Sequence, residues 1–233
     1  MEVAKSPYIA DTLPTLGEEG FPRFIAVEGP VGVGKTTLAK RLAATFDYDV
    51  LLEESPQDKP FISRFYHRPK QIMLATQLHF LFHRASQLQS IRQNDLFRSV
   101  RVSDFCMEKD LLFAEMHLAA DELKLYNRAY EMQVKNLPAP DLVIYLQAPV
   151  YILKERIRKQ GDKTEKLIGH DYLKRLSEAY AELFHYYDQS PLLIVNAEEI
   201  DFVHNEQDYR QLVEEIMSCR KGRYYLNAKS CKP

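Results

Sequence analysis

Gly29-Pro30-Val31-Gly32-Val33-Gly34-Lys35-Thr36 fits the phosphate-loop pattern G-x-x-x-x-G-K-[ST], and its flanks decide the fold. Phe24-Ile25-Ala26-Val27-Glu28 before it reads as a buried strand, and Thr37-Leu38-Ala39-Lys40-Arg41-Leu42-Ala43-Ala44 after it reads as a helix. Strand, loop, helix is the context this pattern requires. The glycines let backbone N–H groups turn inward around a polyphosphate, and the helix N-terminus adds its partial positive charge. Lys35 would reach the β- and γ-phosphates, and Thr36 would ligate Mg²⁺.

Further short β-rich runs follow at Asp49-Val50-Leu51-Leu52-Glu53, Ser99-Val100-Arg101-Val102-Ser103, Leu142-Val143-Ile144-Tyr145-Leu146 and Leu192-Leu193-Ile194-Val195, separated by helical patterns. Strands alternating with helices predict a parallel sheet covered on both faces, a three-layer α/β/α architecture with five strands. Residues 1–20 carry Pro, Gly and acidic residues without periodicity and read as a flexible arm. The body spans 21–220, and 221–233 is expected to be a tail.

Composition narrows the class. The chain has 233 residues, enough for one substantial core, and its 45% hydrophobic and 27% charged content is that of an ordinary globular protein. A formal net charge of -2 supplies no general attraction to nucleic acid or anionic membranes. No apolar run approaches membrane-spanning length, and no basic-then-apolar leader opens the sequence, so a cytoplasmic location is expected. Cys106, Cys219 and Cys231 show no C-x-x-C spacing, which argues against a disulfide framework and a structural zinc site.

Gln71 to Arg92 contains no Gly or Pro and is expected to form one long helix; Asp110 to Val134 is a second stretch of strong helix formers. Such helices could serve as core or supply a homodimer interface. The charged segment from Arg156 to Glu165, broken by Gly161, reads either as a LID closing over phosphates or as a solvated helix end with a Gly cap. In open parallel sheets ligands bind beyond the carboxyl ends of the strands. Glu53, Glu54 and Asp104 lie there by sequence, as candidates for proton acceptance and metal binding or as ordinary caps.

These landmarks in order resemble the deoxynucleoside kinase family, from Phe24 to about Phe202, and within it a bacterial deoxyadenosine/deoxyguanosine kinase-like branch. The resemblance implies that Gly29, Pro30, Val31, Gly32, Val33, Gly34, Lys35, Thr36 and Thr37 bind ATP, with Arg156 and Arg158 from the LID. Glu54-Ser55-Pro56-Gln57-Asp58-Lys59-Pro60 leading to Phe65-Tyr66 is similar to the family's catalytic Glu and following turn. Glu54 is then the general base and Tyr66 touches the sugar 3′-hydroxyl. Glu53, one residue earlier, would face the other side of a strand and is the weaker candidate. Gln77 and Arg84, seven apart and on one helix face, would meet the base edge together with Asp110. Asp104 would hold Mg²⁺ with Thr36, and Glu165 would contact the 3′-hydroxyl.

Two features depart from the family pattern. The Arg expected after Asp104 is Phe105, and the Arg-Gly-Arg of the LID is Gln160-Gly161-Asp162. If a helix starts near Phe105, Lys109 lies one turn along it and could return a cation to the phosphates as a further catalytic group. Arg101, Arg156, Arg158 and Lys163 compete for that role. The resemblance thus implies transfer of the γ-phosphoryl of ATP to the 5′-hydroxyl of a deoxyribonucleoside, purines preferred, with neither nucleic acid nor membrane as partner. Two rivals stand beside it. A thymidylate kinase-like enzyme would favour Arg at position 54 for its acceptor phosphate; a non-catalytic nucleotide-binding protein would make Phe105, Gln160 and Asp162 signs of decay.

Overall fold

The apolar runs form the strands of one parallel sheet. In the computed structural model, which describes residues 22–53, 69–93, 101–160 and 165–227, the strands are β1 (Phe24–Glu28), β2 (Asp49–Leu51), β3 (Arg101–Ser103), β4 (Leu142–Gln147), β5 (Leu192–Asn196) and β6 (Arg223–Leu226). Their order in the sheet is β2-β3-β1-β4-β5-β6, and every neighbouring pair is parallel. The sheet therefore has six strands among the described residues, not five. The sixth comes from the segment read as a tail: Leu226 is buried while Arg223 and Tyr225 stay exposed, the alternation of an edge strand rather than a continuous apolar run. That polar edge is why composition did not mark it as a strand.

Among the described residues, seven α-helices connect the strands: α1 (Lys35–Phe46), α2 (Pro69–Gln93), α3 (Glu108–His117), α4 (Ala120–Val134), α5 (Val150–Gln160), α6 (His170–Tyr186) and α7 (Glu206–Ser218). Alternation along the strands sends side chains to two cores. Ile25, Val27, Ile144 and Val195 pack with Leu38 and Leu42 of α1 and Tyr209 and Leu212 of α7. Ala26, Val143, Tyr145 and Ile194 pack with Leu112 of α3 and Leu176, Tyr180 and Phe184 of α6. The three-layer arrangement follows.

The long helix expected at Gln71 to Arg92 is α2. The second stretch is two helices, because Leu118 and Ala119 adopt extended backbone. Leu118 packs into the cluster around Leu81, Phe105 and Tyr126, and the Glu122 carboxylate accepts from the Ala119 N–H at 3.2 Å, which starts α4 afresh.

Candidate active site

The loop after β1 can be built only from glycine at its turning points. Gly29, Gly32 and Gly34 have φ of 145°, 81° and 108°, in the region that disfavours a Cβ. A Cβ on Gly29 would also meet the Leu146 carbonyl oxygen at 2.5 Å. Lys35 opens α1 and arches back over the loop, its Nζ donating to the carbonyls of Gly29 at 2.8 Å and Pro30 at 3.3 Å. Burial pushes the Lys35 ammonium below its ordinary value and Lys109 adds to this, while Glu28, Glu53 and Asp104 oppose them.

Beside the loop, the Thr36 hydroxyl donates to Asp104 Oδ2 at 2.5 Å. Asp104 follows β3, next to β1 in the sheet, which places its carboxylate at the carboxyl end of the strands. Two oxygen donors this close suit Mg²⁺, which takes few protein ligands and keeps water and phosphate oxygens as the rest. Thr36 and Asp104 would hold it.

The second half of the site is a buried network of charge. Asp104 Oδ1 accepts from the Glu53 N–H at 2.7 Å. The Glu53 carboxylate pairs with Arg84 of α2 and with Lys109 in the first turn of α3, and Arg84 also pairs with Asp110. Gln77, Arg84, Lys109 and Asp110 are all buried. Burial pushes Glu53 up, but Lys109, Arg84 and Lys35 outweigh it and hold the carboxyl well below the usual range. Burial pushes Asp110 up to about 6 despite the Arg84 guanidinium. Burial works against Lys109, yet Glu53 and Glu28 keep its ammonium above the ordinary value. Among the described residues, Asp110 Oδ2 and Arg84 Nε are buried without a hydrogen-bond partner, so this network holds polar groups able to meet a ligand.

Thus Lys35, Thr36, Asp104, Lys109, Arg84 and Asp110 are brought together, and Gln77 is buried on the same helix as Arg84. Arg156 reaches the loop, donating to the Val33 carbonyl at 3.1 Å and the Ala197 carbonyl at 2.8 Å. Arg158 lies exposed in the last turn of α5, and Glu165 sits half-buried in a short 3₁₀ turn, Glu165–Leu167. Glu54, Tyr66 and the LID segment 161–164 lie outside the described residues. Glu53 corrects the sequence reading. β2 ends at Leu51, so strand alternation does not carry on to residue 53, and its side chain joins the network. Phe105 is fully buried in the core with Leu81, Leu88 and Tyr126. Glu28 escaped notice altogether, although a carboxylate ending an otherwise apolar strand was its visible signal.

A phosphate loop heading the central strand of such a sheet, facing a buried set of hydrogen-bonding and charged groups, defines a phosphate-loop protein of the three-layer α/β kind. Sequence comparison narrows this class. The deoxynucleoside kinase family matches over residues 25–219, and the chain belongs to it. It is 32% identical over 198 residues to a deoxyguanosine kinase of Bacillus subtilis (strain 168), covering 83% of this chain and 95% of that protein. A deoxyadenosine kinase of Lactobacillus acidophilus is 28% identical over 207 residues, covering 82% and 94%. The structure of deoxyadenosine kinase from M. mycoides with bound dCTP superposes with a TM-score of 0.70 at 23% identity, covering 84% of this chain and 99% of that one, a likeness of fold.

Proposed function

We propose that this deoxynucleoside kinase transfers the γ-phosphoryl group of ATP to the 5′-hydroxyl of a purine deoxyribonucleoside, with Mg²⁺ held by Thr36 and Asp104. One observation carries the reading: an unbroken chain of hydrogen bonds and ion pairs runs Thr36, Asp104, Glu53, Arg84, Asp110. It links the loop that would hold the donor to the residues that would read the acceptor base. Phosphoryl transfer depends on such fixed placement and on charge stabilisation more than on covalent chemistry by the protein.

Bound Mg²⁺ would neutralise charge on the β- and γ-phosphates. Lys35, Arg156 and the loop amides orient the donor, and Lys109 faces the developing charge in place of the cation absent at Phe105. The 5′-oxygen bonds to the γ-phosphorus, the bond to the β-bridging oxygen breaks, ADP leaves, and the 5′-hydroxyl proton passes to a carboxylate. Glu53, held far below the ordinary range by its cations, is a poor proton acceptor. Glu54 is therefore the base we assign, with Tyr66 and Glu165 on the sugar.

The Gln77 amide can match the donor and acceptor on an adenine edge, while Arg84 and Asp110 adapt the pocket to guanine. The curated relatives include kinases of deoxyguanosine and of deoxyadenosine, which agrees with a purine pocket. We take the partner to be a second copy of the chain: Leu125 and Met132 on α4 are 55% and 79% exposed, and Phe82 on α2 is 49% exposed. No described helix is long and apolar enough to cross a membrane, and we place the protein in the cytoplasm with its substrates. A coupled ADP-release assay over the four deoxynucleosides, their ribonucleoside counterparts and thymidine monophosphate tests the reading. It expects the highest kcat/KM for deoxyadenosine or deoxyguanosine; a preference for thymidine, or turnover confined to the monophosphate, refutes it.

A further inference from the structure

Glu28 ends β1, whose other residues are apolar and buried, and is itself fully buried. Strand alternation turns it, like Ala26, toward α6. There one carboxylate oxygen accepts from the Gly29 N–H at 3.0 Å and from the Tyr180 hydroxyl at 3.1 Å, and the other accepts from the Cys106 N–H at 2.9 Å. The two backbone N–H groups can only donate, so each carboxylate oxygen has one fixed donor, while the Tyr180 hydroxyl can donate or accept. These donors belong to three separate pieces of the fold. Gly29 is the first residue of the phosphate loop, Cys106 leads into α3 with Lys109 one turn on, and Tyr180 anchors both to the outer helix layer.

Burying a carboxylate without counter-charge is costly. Burial accordingly pushes the Glu28 carboxyl above its ordinary value, and the charges that pull it back down are both lysines of the transfer site, Lys109 first and then Lys35, with Glu53 opposing them. Glu28 in turn helps to keep the Lys109 ammonium protonated. Its hydrogen bond to Gly29 also engages that N–H and fixes the orientation of the loop's first peptide. A single buried carboxylate thus joins the donor side of the site to the helix that presents Lys109 and Asp110.

We propose that Glu28 is a positioning residue for phosphoryl transfer, tying the phosphate loop to the start of α3 so that Lys109 stands at a fixed place relative to the donor. This rests on the reading of Lys109 as the transfer cation. The tie acts on geometry during the reaction rather than on substrate binding, so its loss falls on kcat with little change in KM. It also acts through Lys109, so the two residues are energetically coupled.

The test is a double-mutant cycle on the full chain, with kcat and both KM values measured in the ADP-release assay and folding checked by melting temperature. Lys109→Met alone should lower kcat by at least about tenfold, equal to about 1.4 kcal/mol. Glu28→Gln should lower kcat by about tenfold with KM for ATP and nucleoside within about twofold, and adding it to Lys109→Met should cost less than about twofold more. Wild-type turnover in Lys109→Met removes the reading of Lys109 itself. Wild-type kcat in Glu28→Gln beside a crippled Lys109→Met overturns the role of Glu28 alone, as do losses that multiply in the double variant. Should Glu28→Gln not fold, Tyr180→Phe takes its place, keeping the charge and removing one anchor. It should lose kcat severalfold in the wild-type background and not in Lys109→Met, and an unchanged kcat overturns the proposal.

Discussion

Replacing Arg84 with Met tests the buried network through stability. Arg84 is 5% exposed and Asp110 fully buried, and Arg84 bridges Asp110 to Glu53. Its removal leaves Glu53 with Lys109, but among the described residues leaves the Asp110 carboxylate with only the Tyr126 hydroxyl at 3.4 Å. Breaking a buried pair from one side costs about 3–5 kcal/mol because the remaining charge is stranded. Asp110 can relieve this by taking a proton. Its folded-state value is already about 6, above the ordinary 3.8. Between those values the folded protein holds more protons than the unfolded chain, so this group's contribution to stability falls as pH rises through them. In the variant the folded value rises further, and the fall continues into the neutral range where that of the wild type has ended. Each unit of that rise moves about 1.4 kcal/mol of the deficit out of acid solution. The chain has no Trp, so urea unfolding is followed by far-UV circular dichroism. The deficit should approach the full 3–5 kcal/mol near pH 8 and shrink by at least about 1.4 kcal/mol near pH 5. Arg84→Met/Asp110→Asn should be more stable than Arg84→Met near pH 8, because no lone charge remains. A deficit equal at both pH values, or a double variant weaker than the single, would refute the reasoning.

Glu54→Gln should lower kcat by roughly 10² with the melting temperature nearly unchanged, whereas Glu53→Gln should chiefly cost stability, about 3 kcal/mol, because it breaks two ion pairs; kcat and urea unfolding on both variants separate the roles. Gly29→Ala should lose about 2–3 kcal/mol in urea unfolding, since it combines a φ of 145° with a Cβ pressed against the Leu146 carbonyl; a loss under about 1 kcal/mol would mean the loop can move aside. Asp104→Asn should raise the Mg²⁺ concentration for half-maximal rate by at least about tenfold, read from a Mg²⁺ titration at fixed ATP.

Most of the fold was legible because its signals are local. Phe24–Val27 and Leu142–Leu146 are continuous apolar runs, as strands buried on both faces must be. The phosphate loop announces itself because only glycine fits three of its positions. β6 was missed because an edge strand buries one residue in Tyr224-Tyr225-Leu226 and leaves Tyr225 exposed. The break at Leu118–Ala119 was missed because neither residue is a helix breaker; packing of Leu118 against the Phe105 cluster overrides propensity there. Within the site, the resemblance to the family pointed to Gln77, Arg84 and Asp110, and a separation of seven residues puts Gln77 and Arg84 on one helix face. Glu53 and Glu28 owe their places to contacts 31 and 78 residues away in sequence, with Arg84 and Cys106, which no local pattern encodes.

The central claim is that the acceptor is a nucleoside hydroxyl. Incubating the protein with Mg²⁺, deoxyguanosine and ATP labelled in its γ-phosphate, then separating the products, tests it directly. Label should appear in deoxyguanosine 5′-monophosphate in step with ADP, and none should appear when the 5′-hydroxyl is replaced by hydrogen. Label transferred only to an added deoxynucleoside monophosphate, or retained in ATP over the full panel of deoxynucleosides, would contradict the account.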